Sequence, residues 1–376
     1  MKYLFLGLSL ILFASCHKEM RINFRGTTPG VKSGTFIIKT LRDSSTLGVT
    51  ITGEKFQCNG VLPREGYYIM DIVDDADVSS HDNHFEVYLE AGEYTVQTEA
   101  GKSSNYPKIT SPSKIQADLS AYYKLVDEQG VSLRKEADEV KVKLRKMDRS
   151  SANQYNAMVE KLSAAEARET TGKFEALKLF VKQNPQSSIS AYLMNKLDYE
   201  SKPVEFYDVF KQFSPEAKAS TDGKEIGVRL SNLVKLVPGA QSPDIVGNTP
   251  DGKPFDKSSI KKKLILLDFW RASDDISRLN HQQLISMLAH ELKGKDGFGV
   301  VSIDFDAKAD WWKTAIRDDK MPWTQVSDLK GDDSPNAPKW AISKIPTYDV
   351  VDSNWKIVER DIQLSEVSIL VNRYLK

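Results

Sequence analysis

The chain is poor in cysteine. Two occur in 376 residues, Cys16 and Cys58, which excludes a disulfide-stapled scaffold and a cysteine-rich zinc site. It carries no excess charge: Lys plus Arg is 52 and Asp plus Glu is 52, a formal net charge of zero. That argues against a nucleic-acid partner held by bulk charge. No Gly-rich phosphate loop, no Gly-x-Ser-x-Gly and no His-Glu-x-x-His occurs, so these signatures of phosphate binding, acyl transfer and zinc hydrolysis are missing. No apolar run reaches the ~20 residues that a bilayer span requires. What is present is ordinary for folded domains: 40% hydrophobic and 28% charged residues, in a length that suits two or three domains.

Met1-Lys2-Tyr3 precedes a run of apolar and small residues from Leu4 to Ala14, the pattern of a signal peptide over residues 1–15. The run ends in Leu12-Phe13-Ala14-Ser15-Cys16. A small residue directly before a cysteine resembles the box of bacterial lipoproteins, with Phe13 where Leu is usual. The resemblance implies cleavage before Cys16, a diacylglycerol on its thiol, and acyl chains sufficient for stable anchoring. It places the chain in the cell envelope, lipid-anchored to a bacterial membrane on its periplasmic or outer-membrane face. The alternative is an ordinary signal with an incidental cysteine. If Cys16 is acylated, Cys58 has no partner for an intramolecular disulfide.

Composition changes along the chain. The N-terminal hundred residues are rich in Gly, Thr, Ile and Val, the middle in Lys, Glu, Ala and Leu, and all six tryptophans lie from Trp270 onward. The expected class is multidomain α+β: a β-sandwich over 16–110, a helical segment over 111–237, and an α/β domain over 238–376. In the first region Phe36-Ile37-Ile38-Lys39, Leu47 to Ile51, Phe56 to Leu62 and His84 to Leu89 read as short strands between turn residues, at the spacing of a small antiparallel sandwich. Cys58 falls on the apolar side of its strand, as an inert buried thiol would. Gly60, Gly66-Tyr67-Tyr68 and Tyr88-Leu89-Glu90-Ala91-Gly92 resemble the DUF4369-type N-terminal domain of Bacteroidetes lipoproteins. In the middle, Leu133, Ala137, Val140, Leu144 and Met147 step by four and three, and Phe174, Leu177 and Val181 make a second stripe that ends at Asn184-Pro185. Both are read as helix faces that pack into a core.

In the last region Leu264 to Phe269 is a continuous apolar run broken only by Asp268, as for a central strand covered on both faces. A helical pattern, the strand Gly299 to Ile303, a helix around Asp310 to Arg317, and a hairpin through Asp352-Ser353-Asn354 follow. Leu266-Leu267-Asp268-Phe269-Trp270, Val301-Ser302-Ile303-Asp304, Trp323 to Asp328, and Ile345-Pro346-Thr347 together resemble the thioredoxin-like domain of the membrane-anchored thiol–disulfide and peroxiredoxin-like group. The resemblance implies a Cys-x-x-Cys after the Phe-Trp strand, where helix-end N–H groups lower a thiol's pKa and the second thiol resolves the mixed disulfide. Here Asp274 and Ser277 stand at those two positions, and no cysteine follows residue 58. Asp274 is therefore read as a helix cap; the functional alternative is an acid or base without a companion. His281, two turns into that helix, is expected at the surface. The resemblance also implies that Pro346 is cis and that Ile345, Pro346 and Thr347, with Trp270 nearby, border a groove for an extended peptide. The alternative keeps Pro346 for folding alone.

His81 and His84, with Asp77 and Asp82, have no third ligand at a clear spacing, and Asp304, Asp306, Asp332 and Asp333 are expected in solvated loops rather than around a cation. No metal or cofactor is expected. The overall expectation is a redox-inactive binding or scaffold lipoprotein whose partners are a membrane, through the anchor, and a protein or peptide of the envelope. The alternative is a thiol–disulfide oxidoreductase acting through a non-standard thiol.

Overall fold

A computed structural model describes residues 20–42, 44–76, 84–101, 104–147 and 152–375, with backbone alone for residues 131–135, 138, 152 and 153. Cys16, the preceding apolar run, Asp77, His81 and Asp82 lie outside the described residues. Contacts group the chain into two units, Met1–Leu197 with Gln212–Ser220, and Asp198–Lys211 with Thr221–Lys376. The helical middle is thus divided between the two units and is not a body of its own.

The first unit opens with eight strands: β1 (Met20–Thr27), β2 (Ser33–Thr40), β3 (Ser45–Thr52), β4 (Lys55–Leu62), β5 (Gly66–Asp74), β6 (His84–Leu89), β7 (Gly92–Gln97) and β8 (Lys108–Thr110). They alternate inward and outward, as in β1, where Met20, Ile22 and Phe24 are buried and Arg21, Asn23 and Arg25 exposed. This is the period-two pattern that fixes register when one face meets a core. Gly53 and Glu54, both at positive φ, make the two-residue turn from β3 into β4. Strand spacing predicts two packed sheets; the structure instead has one hydrogen-bonded sheet in the order β6-β5-β2-β3-β4-β1-β7-β8. All neighbours are antiparallel except β1 and β7, which pair in parallel from Ile22 opposite Gly92. The sheet curls. Two strands separate β1 from β2, roughly 14 Å in a flat sheet, yet the rings of Phe24 and Phe36 lie 5.0 Å apart and Phe36 stacks on Phe56 of β4 at 4.2 Å. Curling lets a single sheet enclose its own core, so a second sheet is not needed.

Helices α1 (Lys114–Lys146) and α2 (Ala152–Gln183) follow, then α3 (Ser190–Asn195), α4 (Pro203–Phe210), α5 (Pro215–Ala219) and α6 (Thr221–Leu233). The first unit holds α1, α2, α3 and α5. Ser113 caps α1 by accepting the Gln116 N–H at 3.3 Å. Ala137 and Val140 of α1, and Phe174, Leu177 and Val181 of α2, are buried, and α2 stops before Asn184-Pro185, where proline cannot continue a helix. Arg168 pairs with Glu136 across the two helices at 2.7 Å.

The second unit holds α4, α6 and the chain from there on. Its elements are β9 (Leu264–Trp270), α7 (Asp275–Ala289), β10 (Phe298–Asp304), α8 (Ala309–Asp319), β11 (Thr324–Ser327), α9 (Asn336–Lys339), β12 (Thr347–Asp352), β13 (Ile357–Glu359) and α10 (Val367–Tyr374). The sheet order is β11-β10-β9-β12-β13. β9, β10 and β11 run parallel, while β12 is antiparallel to both β9 and β13. Every residue of β9 is buried. Leu264 and Leu266 face the cluster that includes Leu284 of α7 and Leu370 of α10, and Ile265, Leu267 and Phe269 face the one around Trp340. Helices thus cover both faces, which is why β9 reads as an unbroken apolar run. The bond between Ile345 and Pro346 is cis. Parallel strands flanked by an antiparallel pair, with a cis-proline ahead of β12, support a thioredoxin-like domain here.

Candidate functional site at the end of the central strand

β9 ends at Trp270, and four residues separate it from the start of α7 at Asp275. Asp274 sits outside the helix in extended conformation, and its Oδ1 accepts the Ser277 N–H at 2.7 Å. This satisfies one of the free N–H groups at the helix start, and the charge complements the helix dipole. Ser277 is fully buried, and its hydroxyl has no hydrogen-bond partner among the described residues. A thiol tolerates such a place, being a small weak hydrogen-bonding group; a hydroxyl there forfeits its bonds to water.

Pairing of Thr347 with Phe269 brings the cis-proline loop beside the end of β9. The two segments border a groove of about 440 Å³ lined by Arg271, Ser273, Asp274, Phe305, Asp332 and Ile345, among others. Arg271 Nη2 donates to Asp332 at 2.7 Å, but that carboxylate is 90% exposed, so the pair is weak and exchangeable. Among the described residues, neither the N–H nor the carbonyl of Ile345 has a hydrogen-bond partner. Of the four residues expected along the groove, Ile345 lines it and Pro346 is half-buried beside it. Thr347 is buried and donates to the Lys344 carbonyl at 2.7 Å. Trp270 corrects the expectation: it is wholly enclosed among Trp312, Ala315 and Met321, because the even-numbered face of β9 lies under α7 and α8. Ile276 and Leu279, on the exposed side of α7, are both 59% exposed. They follow Asp274 closely in the chain, and sequence reading had not singled them out.

Beneath the groove lies a buried polar network. His281 is not at the surface. It is 1% exposed, with Nε2 3.0 Å from Asp268 Oδ2 and Nδ1 3.4 Å from Asp319 Oδ2. The signal was present in the spacing, since Ser277, His281 and Leu284 fall at i, i+4 and i+7, the inward stripe of α7. Arg278 closes the network from outside with two bonds to Asp319, that from Nη2 at 2.7 Å. On the other side Ser302 donates to Asp268 at 2.5 Å and accepts from Trp323 Nε1 at 2.8 Å. Burial pushes the His281 imidazole down, but its hydrogen bonds to and the charges of Asp268 and Asp319 outweigh that and leave it above its ordinary value.

Asp304 and Asp306 also correct the expectation of solvated loops: both are buried. Asp306 accepts the Ala272 N–H at 2.5 Å, and Asp304 Oδ2 accepts from Ser327 Oγ at 2.8 Å. Burial, then the hydrogen bond and charge of Asp306, hold the Asp304 carboxyl far above the carboxylate range. Among the described residues no cluster of three potential ligands is arranged to hold a metal; His84 bonds Asp71 at 2.8 Å. Cys58 lies in the other unit, half-buried against the sheet core, and burial raises its thiol pKa. The arrangement offers a groove with unpaired backbone groups at Ile345, a loosely held arginine and apolar lining from Phe305 and Ile345, in a unit whose sequence contains no cysteine.

No family model matches the chain, and no curated protein does. Among solved structures it is similar to the thioredoxin domain of a thiol-disulfide oxidoreductase from Bacteroides vulgatus, with 28% identity over 38% of this chain and 99% of that one, at a TM-score of 0.33. A thiol:disulfide interchange protein from Bacteroides sp. shows 29% identity over 38% of this chain and 91% of its own, at 0.33. A thioredoxin-like protein from Bacteroides caccae is 11% identical over 60% of this chain and 85% of its own, at 0.44.

Proposed function

We propose that the chain is a redox-inactive, thioredoxin-like binding protein that holds an extended peptide segment in the groove beside Ile345 and Pro346. One observation carries the reading: the place of the dithiol is taken by the capping Asp274 and the buried Ser277, while the groove stays open. Unpaired backbone groups at Ile345 suit strand-like addition of a peptide. Arg271 suits an acidic side chain or chain end, because its present partner is exposed. Phe305 and Ile345 give the groove apolar lining. The finer parts of the reading are an N-terminal domain of the DUF4369 type and a lipid anchor at Cys16 holding the protein in a bacterial envelope.

An oxidoreductase mechanism would need Cys58, whose raised pKa leaves little thiolate. Disulfide-reductase turnover of the full chain and of Cys58→Ser decides this. The expected result is no turnover above background in either. Turnover in the wild-type chain would overturn the reading, and its loss in Cys58→Ser would name the thiol. Peptides selected from a displayed library of unstructured sequences are expected to lose binding in Ser273→Trp, which fills the groove. The anchor predicts fatty-acid labelling that disappears in Cys16→Ala.

A further inference from the structure

At the opposite end of β9, roughly 20 Å from Trp270 by strand length, the second unit has a cavity of about 1170 Å³. Six lysines line it, Lys257, Lys261, Lys262, Lys263, Lys293 and Lys295, against the single carboxylate of Asp296. The chain as a whole is neutral, so this is a local segregation of charge. The fold creates it: the Lys263 and Leu264 N–H groups both donate to the Gly297 carbonyl, at 2.7 and 3.1 Å, which brings the loop carrying Lys293 and Lys295 alongside the three consecutive lysines.

Apart from Lys257, the lysine charges are not neutralised by an ion pair among the described residues. Lys262 donates to the Asp296 carbonyl at 2.9 Å and Lys295 to the Leu375 carbonyl at 2.6 Å, neutral acceptors that position an ammonium and leave its charge. Lys257 pairs with Asp244, an exposed carboxylate that a denser anion displaces at little cost. Lys261, Lys263 and Lys293 are exposed and make no ion pair among the described residues. No arginine lines the cavity. Arginine brings two-pronged geometry to carboxylates and phosphates alike, whereas lysines act as compact point charges, and a cluster of them suits an anion with several charges close together, as in a phosphate-dense group.

From this segregation we infer that the lysine-lined cavity binds a phosphate-dense anion, either a free phosphorylated molecule or the phosphate headgroups of a lipid surface. The site is separate from the groove at Ile345 and does not depend on what that groove holds.

The probe is inorganic tripolyphosphate, titrated calorimetrically into the full chain, with sedimentation on phosphatidylglycerol and phosphatidylcholine vesicles in parallel. Binding of tripolyphosphate is expected at one site per chain, weakening about tenfold as salt shortens the screening length. Lys261→Gln, Lys263→Gln and Lys293→Gln together are expected to weaken it at least tenfold, and each alone about threefold. All three side chains are exposed, and circular dichroism checks that the fold is kept. Removing Lys178, Lys182 and Lys211 in the same way leaves affinity within twofold. Binding to phosphatidylglycerol vesicles alone assigns the phosphate to a lipid surface, and binding to tripolyphosphate alone assigns it to a soluble ligand. No binding to either probe, or equal loss in the two triple variants, overturns the site.

Discussion

Each unit buries carboxylates, and one from each, Glu86 and Asp268, makes a contrast. In the first, Glu86 of β6 accepts the Tyr123 hydroxyl at 2.9 Å, the Tyr192 hydroxyl, and the Lys196 ammonium at 2.8 Å. Both oxygens are occupied, and the groups that occupy them come from α1, α3 and the turn after α3. The result is a knot that fastens helices to sheet. In the second, Asp268 is bonded through one oxygen only. Its Oδ1, Trp270 Nε1 and the Ser277 hydroxyl are all buried without partners among the described residues. Buried polar groups are normally paired, so a cluster of orphans marks a place that packing alone did not shape. In the reading proposed above, Ser277 is also one of the two positions where a dithiol would stand. The lesson is that incomplete pairing, more than burial of charge, separates a chemical site from a structural tie.

The sharpest way to test this comparison is to restore the dithiol. Asp274→Cys with Ser277→Cys is expected to give disulfide-reductase turnover where the native chain has none, since the helix start lowers a thiol's pKa. A folded but inert double variant would show that the orphans are not remnants of that chemistry. Next in size is His281→Leu, which leaves Asp268 and Asp319 facing each other in the interior. A loss of about 3–5 kcal/mol is expected in urea unfolding; a loss below that of Glu86→Gln would invert the comparison.

A smaller effect is the pH dependence. The carboxylates of Asp268 and Asp319 hold the His281 imidazole above its ordinary value, so the folded state holds its proton more tightly than the unfolded chain. That stabilisation is complete below about pH 6.5 and is lost as pH rises through the folded-state value. Unfolding midpoints across that window should fall in the native chain, and this component should vanish in His281→Asn. An unchanged slope would mean that the imidazole stays neutral. The smallest effect is expected for Ser277→Ala. Removing an unpaired hydroxyl inside a helix should be neutral or stabilise by about 1 kcal/mol, read as a shift in the same midpoints.

The parts of this arrangement that local pattern controls were legible in the chain. β9 announces itself as an apolar run, Asp274 as a helix start ahead of Leu284 and Leu288, and Ile345-Pro346-Thr347 as the loop before a strand. What was hidden depends on distant partners. His281 looks like one polar residue between Asn280 and Gln282, and its burial appears only when Asp268 and Asp319 arrive from other elements. Asp304 and Asp306 look like a strand end, and become buried because Ala272 and Ser327 close over them. In the first unit the alternation gave the strands, but the parallel pairing of β1 with β7 joins residues far apart in sequence, and no local signal distinguishes one curled sheet from two packed ones.

The placement of β1 has a mechanical consequence. It is the first described strand, yet it lies inside the sheet, pairing with β4 along its whole length from Met20 opposite Leu62 and with β7 from Ile22 onward. Whatever is attached ahead of Met20 therefore pulls on a segment stitched along both sides. A load along the strand is shared by two ladders at once, where an edge strand would peel away one bond at a time. A load applied at Met20 would therefore fall on one of the best-fastened strands of the sheet.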